Sequence, residues 1–136
     1  MIIGITRATN KYHIIRATLE SLAFQTADVI ALMEHSTGLK VSSLSVDGGA
    51  SANSLLMEFQ ADISGIPIER PMCVETTALG VAYMTGLTLG VYSSLEEIKS
   101  NKKTDKRFTP SMDSVLRSEK LDEWHRAVDR TRGWKS

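Results

Sequence analysis

Ser45-Val46-Asp47-Gly48-Gly49-Ala50-Ser51-Ala52-Asn53 is the stretch whose reading decides the fold. A short β-prone run carrying Leu44 and Val46 ends in two glycines, and a helical pattern begins within three residues. In an α/β domain this is a strand-to-helix turn, and ligands collect at the carboxyl ends of such strands. Glycine lets the backbone approach a bound group with no Cβ in the way. The helix start that follows offers unpaired N–H groups and a partial positive charge, which suits phosphate. Asn53, in the first helical turn, can point its amide at the same ligand. The motif is short, and a βα turn that needed glycine only for its own geometry fits it equally.

Outward from that turn, the bulk properties bound the rest. A chain of 136 residues, 42% hydrophobic and 24% charged, suits one domain around a single core. Sixteen basic and sixteen acidic side chains give a formal net charge of zero, which argues against a dedicated nucleic-acid or anionic-membrane binder. The lone cysteine, Cys73, leaves no internal disulfide and fits a reducing compartment. No apolar run reaches the roughly 20 residues of a membrane span. Met1-Ile2-Ile3-Gly4 lacks the basic segment and apolar core of a signal peptide, so a cytoplasmic protein is expected.

Upstream of the turn, Met1 to Ile5 reads as a strand cut off at its start. Thr6 to Lys11 is loop-like, with Thr9 or Asn10 placed to cap a helix. From about Tyr12 to His35 a long helix is expected, with Ile15, Leu19, Leu22, Val29 and Met33 on one stripe and Arg16 and Glu20 pairing at i,i+4. Ile14, Phe24, Ile30 and Leu32 widen its apolar surface. The helix is therefore buried on more than one side, or covered by something outside this chain.

Downstream, a second helix is expected from about Ser51 to Ser64 with Leu55, Leu56, Phe59 and Ile63 inward. Ile66 to Arg70 reads as a short strand, with Pro67 and Pro71 restricting it to an edge or to the strand's ends. Glu75-Thr76-Thr77 opens a third helix, whose Ala78, Gly80, Ala82 and Gly86 form a small-residue face suited to close packing. Leu95 to Lys99 makes one helical turn. Lys99 to Arg107 carries five basic residues in nine and reads as a solvated loop, a poor nucleic-acid site without interleaved aromatics. A last helix runs from about Asp113 to Arg132, with Leu121, Trp124 and Val128 inward and Gly133-Trp134 anchoring its end. The whole is an α/β fold, βαβαβα plus a C-terminal helix.

Catalytic chemistry is hard to find. His13, His35 and His125 lie far apart with no ligand-spaced cysteine or carboxylate, and His13 suits a surface or capping role. Cys73 has no activating partner in sequence. Neither a Walker-type loop nor a G-x-G-x-x-G is present. Asp47 is the one carboxylate beside the glycines; it can contact a metal or water, or simply cap the turn. No catalytic, substrate-binding or metal-ligating residue is assigned.

Several separated blocks together are more specific. Gly4-Ile5, seven further residues, then His13-Ile14-Ile15-Arg16-Ala17-Thr18-Leu19-Glu20 resembles the second signature of the FGGY carbohydrate kinases. Thr6-Arg7-Ala8-Thr9-Asn10, Val46 to Asn53, Leu56 to Asp62, Glu69-Arg70-Pro71, Glu75 to Gly80 and Trp124…Gly133-Trp134 resemble the branch of that family that phosphorylates glycerol. The likeness runs over essentially all 136 residues.

The resemblance implies an actin-like ATPase fold of two ribonuclease-H-like domains with ATP, as its Mg2+ complex, in the cleft between them. The reaction implied is transfer of the ATP γ-phosphoryl group to glycerol, giving glycerol 3-phosphate and ADP. Asp47-Gly48-Gly49-Ala50 matches the adenosine motif, so Gly48, Gly49, Ala50 and Asn53 are the expected nucleotide-binding residues. Residues 1–136 match only the C-terminal part of the family's C-terminal domain, on the ATP-binding side. The N-terminal domain, its phosphate loop and the catalytic aspartate are expected outside this chain. So are two strands between Ile2-Ile3 and the Val46 strand. The expected partners are ATP or ADP, with glycerol in the intact enzyme, and a second copy or the remaining N-terminal part against the exposed faces. The chain alone is expected to be inactive. Two alternatives stay open: another FGGY kinase acting on a pentulose or similar polyol, and a non-catalytic nucleotide-binding or interaction remnant.

Overall fold

The computed structural model describes residues 1–101 and 103–133; Trp134, the expected closing anchor, lies outside the described residues. The elements follow in the order α1 (Lys11–Thr37), β1 (Leu44–Ser45), a 3-10 turn (Gly49–Ala52), α2 (Ser54–Ser64), β2 (Ile68–Pro71), α3 (Thr76–Thr88), α4 (Leu95–Ser100), β3 (Thr104–Phe108) and α5 (Ser114–Asp129).

Helix α1 begins where its capping chemistry begins. Asn10 Oδ1 accepts from the Tyr12 and His13 amides, and His13 Nδ1 accepts from the Asn10 amide at 3.2 Å. This is a reciprocal cap with histidine in the place usually taken by Glu or Gln. The capping role expected of His13 is the one it has. Arg16 and Glu20 pair at 2.6 Å, as their spacing required. Burial on α1 departs from expectation. Its buried seam is Ala23, Ala27 and Ile30, laid against α2, while Ile15, Leu22, Val29 and Met33 of the expected stripe are exposed. Alanines at a four-residue spacing let the two helix backbones come close, and Gln60 Nε2 reaches the Ala23 carbonyl at 3.4 Å within that contact. Of the residues that widen the apolar surface of α1, Ile30 is buried and Phe24 is covered by Phe59 and Trp124, while Ile14 and Leu32 are exposed.

The sheet has three strands in the order β1-β2-β3. β1 runs parallel to β2, with Leu44 opposite Ile68 and Ser45 opposite Glu69. β2 and β3 are antiparallel, with Ile68 opposite Phe108 and an irregularity between Arg70 and Pro71. Pro71 is at a strand end, where a missing ladder N–H costs little. The expected first strand is corrected: Met1 to Ile5 is irregular, and Ile2, Ile3 and Ile5 are exposed. A strand exists only through a paired neighbour, and no strand lies beside this segment among the described residues.

The basic stretch is corrected too. Its second half is β3, not a solvated loop, and its charges pair with residues of β2 and α2. Arg70 meets Asp105 at 2.7 Å, Lys106 meets Glu58 at 3.3 Å and Arg107 meets Glu69 at 3.7 Å.

The core consists of Ala23, Leu56, Met57, Ala61, Ile68 and Phe108, with Leu44, Val46 and Phe59 packed against it. On α2, Leu56 and Ile63 are buried and Phe59 half-buried as expected, but Leu55 is exposed and Met57 and Ala61 are buried in its stead. The helix starts at Ser54 rather than Ser51. Helix α5 crosses back onto α1: Trp124 stacks on Phe24 with centroids 5.2 Å apart, and its indole Nε1 donates to Asp28 at 2.8 Å. Leu121, Trp124 and Val128 are half-buried there. Helix α3 has one buried residue, Gly86, where a Cβ would come 2.7 Å from the Tyr92 ring. Ala78, Gly80 and Ala82, expected to pack closely, are exposed.

Candidate functional site

The polypeptide leaves β1 at Ser45 and turns at Gly48, whose φ of 76° and ψ of 172° belong to a region open essentially to glycine alone. The Gly48 amide donates to the Val74 carbonyl at 2.8 Å. Asp47 accepts a hydrogen bond from the Thr76 hydroxyl at the first residue of α3. Two links therefore tie the turn to the chain entering α3. Beyond them, Gly49–Ala52 form the 3-10 turn, and Ser51, 2% exposed, donates its hydroxyl to the Gly48 carbonyl at 2.7 Å.

Gly49 differs from Gly48. Its φ is not positive, and a Cβ built on it meets nothing within 4 Å. The fold places no demand for glycine at 49. Gly49, Ala50 and Asn53 are exposed on one continuous turn, so the structure brings the four expected residues together.

Asn53 is not inside the first helical turn but caps α2, its Oδ1 accepting from the Leu56 amide at 3.2 Å. That bond commits the oxygen to the helix. The group Asn53 can offer a ligand is its NH2 donor.

Asp47 lies on the other side. A cavity of about 660 Å3 opens between the sheet end and α3, bordered by Asp47, Cys73, Thr76, Tyr83 and Lys99. Of the residues from Asp47 to Asn53 it is lined only by Asp47. A second cavity, of about 350 Å3, lies between α1, α2 and α5 and includes none of the turn.

Among the described residues, no three His, Cys, Asp or Glu side chains stand close enough to hold a metal ion. His125 Nε2 lies 2.8 Å from Asp28 Oδ1, a contact made by α5 with α1 rather than at the turn.

Arg70, at the end of β2, was not among the sequence candidates. Its Nη1 reaches the Ser51 carbonyl at 3.1 Å and the Ala52 carbonyl at 3.3 Å, from 19 and 18 positions away. Nothing in the local pattern announces that contact. Only the parallel pairing of β1 with β2 brings the end of β2 beside the turn.

A strand ending in a glycine turn, a capped helix start, and a helix pair packed on one face of the sheet are features of an α/β nucleotide-handling domain. The profile of the FGGY family of carbohydrate kinases, C-terminal domain, matches residues 1–89, and the chain belongs to that family. Its relatives include the glycerol kinase of Carboxydothermus hydrogenoformans, 52% identical over 98% of this chain and 27% of that protein. Glycerol kinase 2 of Thermotoga maritima is 53% identical over 98% of this chain and 27% of that protein. A crystal structure of Plasmodium falciparum glycerol kinase with ADP superposes with a TM-score of 0.86 at 36% identity, over 97% of this chain and 26% of that one. The chain thus spans about a quarter of the length of these relatives. Gluconate kinase from Lactobacillus acidophilus, at 21% identity and a TM-score of 0.77, shares the fold. The α/β class and the kinase family expected from sequence both stand.

Among the described residues no helix is long and apolar enough to cross a membrane.

Proposed function

We propose that this chain forms the adenosine side of the ATP site in a glycerol kinase, with Gly48, Gly49, Ala50 and Asn53 against the nucleotide. The observation that carries the reading is Gly49. Where the fold itself tolerates a side chain, a ligand lying over the backbone gives glycine a reason to be there. A turn that needed glycine for geometry alone accounts for Gly48 and leaves Gly49 without a reason. The Asn53 NH2 adds a donor on the same exposed turn. The substrate reading rests on the glycerol kinases of about half identity across almost the whole chain, one structural relative holding ADP.

The reaction is transfer of the ATP γ-phosphoryl group to glycerol, giving ADP and glycerol 3-phosphate. Phosphoryl transfer depends on positioning and on neutralising charge. This chain's share is positioning: Gly48 and Gly49 let the turn lie flat against the nucleoside, and Asn53 donates to it. Asp47 accepts from Thr76, and among the described residues no three His, Cys, Asp or Glu side chains are grouped to hold a Mg2+ ion by themselves. No step is assigned to a metal here.

In this reading residues 1–136 are the C-terminal part of the kinase's C-terminal domain, working in the cytoplasm. The exposed apolar surface of α1 and the open edge of β1 are covered by the rest of the protein or by a second copy.

The test is a hybrid in which this chain replaces the matching 133 residues of the Carboxydothermus enzyme. Glycerol-dependent ADP release by the folded hybrid supports the reading, and preference for a pentulose over glycerol would move it to another polyol. A folded hybrid that binds no ADP sinks it. The 136-residue chain alone is expected to release no ADP on adding glycerol, and release would overturn the division of labour.

A further inference from the structure

Arg70 uses all three of its guanidinium nitrogens. Its Nε lies 2.8 Å, and its Nη2 2.7 Å, from Oδ2 of Asp105 on β3. Its Nη1 points the other way, to the carbonyls of Ser51 and Ala52 and, at 3.3 Å, to the Ser54 hydroxyl. The guanidinium carbon stands 5.3 Å over the Phe108 ring, and the side chain is only 14% exposed. A single planar cation thus bridges the last strand of the sheet and the turn between β1 and α2.

The effect on the turn follows from peptide geometry. The C=O and N–H of one peptide point in opposite directions because the unit is planar and trans. Drawing the Ser51 and Ala52 carbonyls toward Arg70 therefore also fixes the direction of the Ala52 and Asn53 amides. These two residues join the 3-10 turn to the cap of α2. Without the guanidinium, two carbonyls at the end of a short 3-10 segment lose their charged donor.

We propose that Arg70, oriented by Asp105, is a positioning residue for the nucleotide: it holds the Gly49–Asn53 turn in the conformation that receives adenosine. The inference rests on the function proposed above. It couples β3, an otherwise peripheral strand, to ATP affinity. Lysine cannot replace arginine here, because one ammonium group cannot serve a carboxylate on one side and two carbonyls on the other in a single plane.

Two measurements test it. In the hybrid enzyme, Arg70→Lys raises KM for ATP about tenfold, the worth of one charge-assisted hydrogen bond. KM for glycerol and kcat stay within about twofold, a split that a general loss of folded protein would not give. Asp105→Asn shifts KM for ATP in the same direction by a smaller factor, and serves if Arg70→Lys does not fold. In the 136-residue chain, Arg70→Lys speeds amide exchange at Ala52 and Asn53 while the Ala23 and Ala61 amides keep their protection. Unchanged KM for ATP, or unchanged exchange in the turn, overturns the role given to Arg70 and leaves the proposed function standing. An unaltered hybrid that folds and binds no ADP overturns the function first, and the nucleotide role of Arg70 with it.

Discussion

Helix α2 and helix α3 each follow a strand of the sheet, yet one is the centre of the core and the other lies almost bare. α2 buries Leu56, Met57, Gln60, Ala61 and Ile63 between α1 and the sheet, whereas α3 buries only Gly86 and leaves Val81 and Met84 exposed. The apolar side chains of α3 are no less apolar than those of α2. The difference lies in partners: α2 has a helix on one side and β2 and β3 below, while α3 is tied down mainly at its first turn, through Thr76 and Val74. Helical apolarity states a demand for burial, and only a neighbour meets it.

The largest effect that would break this comparison is a pair of truncations. Ile68→Ala, at a fully buried site, is expected to destabilise the chain by about 2–5 kcal/mol, and Val81→Ala on exposed α3 by less than about 0.5 kcal/mol. Equal losses in denaturant unfolding would mean that α3 is packed in solution. The junction between the two regions gives the next effect. Gly48→Ala is expected to cost about 1–3 kcal/mol through its backbone angles, and Gly49→Ala almost nothing in stability. If adenosine lies over the turn, Gly49→Ala nevertheless weakens ADP binding in the hybrid. A stable Gly49→Ala variant with unchanged ADP affinity would return the turn to mere geometry.

The smallest effect is electrostatic and lies at the end of α1. The Lys40 ammonium, 2.7 Å away, and then the Val41 amide hold the Glu34 carboxyl below its ordinary 4.5, against a desolvation that raises it. Because the folded value is the lower one, its contribution to stability is complete above about pH 4.5 and is lost as the pH falls through the depressed value. Lys40→Met should move the Glu34 midpoint upward in an NMR titration. An unmoved midpoint would assign the depression to the Val41 amide alone.

Local pattern carried much of this molecule. The Asn10 and His13 cap, the i,i+4 pair of Arg16 and Glu20, the turn at Gly48, the end of α2 at Ser64 and the start of α3 are short-range events, settled by residues within a few positions of one another. The candidate site was legible for the same reason, since Gly48, Gly49, Ala50 and Asn53 are nearly contiguous. Strand β3 was not. Thr104 to Phe108 holds one buried side chain, and it becomes a strand through pairing with β2 and through Asp105, Lys106 and Arg107 meeting charges far away in sequence.

By itself, then, the sequence determined the class of the fold, the family and the place of the glycine turn, because capping, backbone angles and motif spacing are properties of neighbouring residues. Tertiary structure alone decided which apolar faces are covered, that Met1 to Ile5 is not a strand, that Gly48 and Gly49 serve different needs, and that Arg70 reaches the turn. Each of these depends on what stands beside a residue in space, and strand pairing and helix contact bring together groups that sequence distance keeps apart.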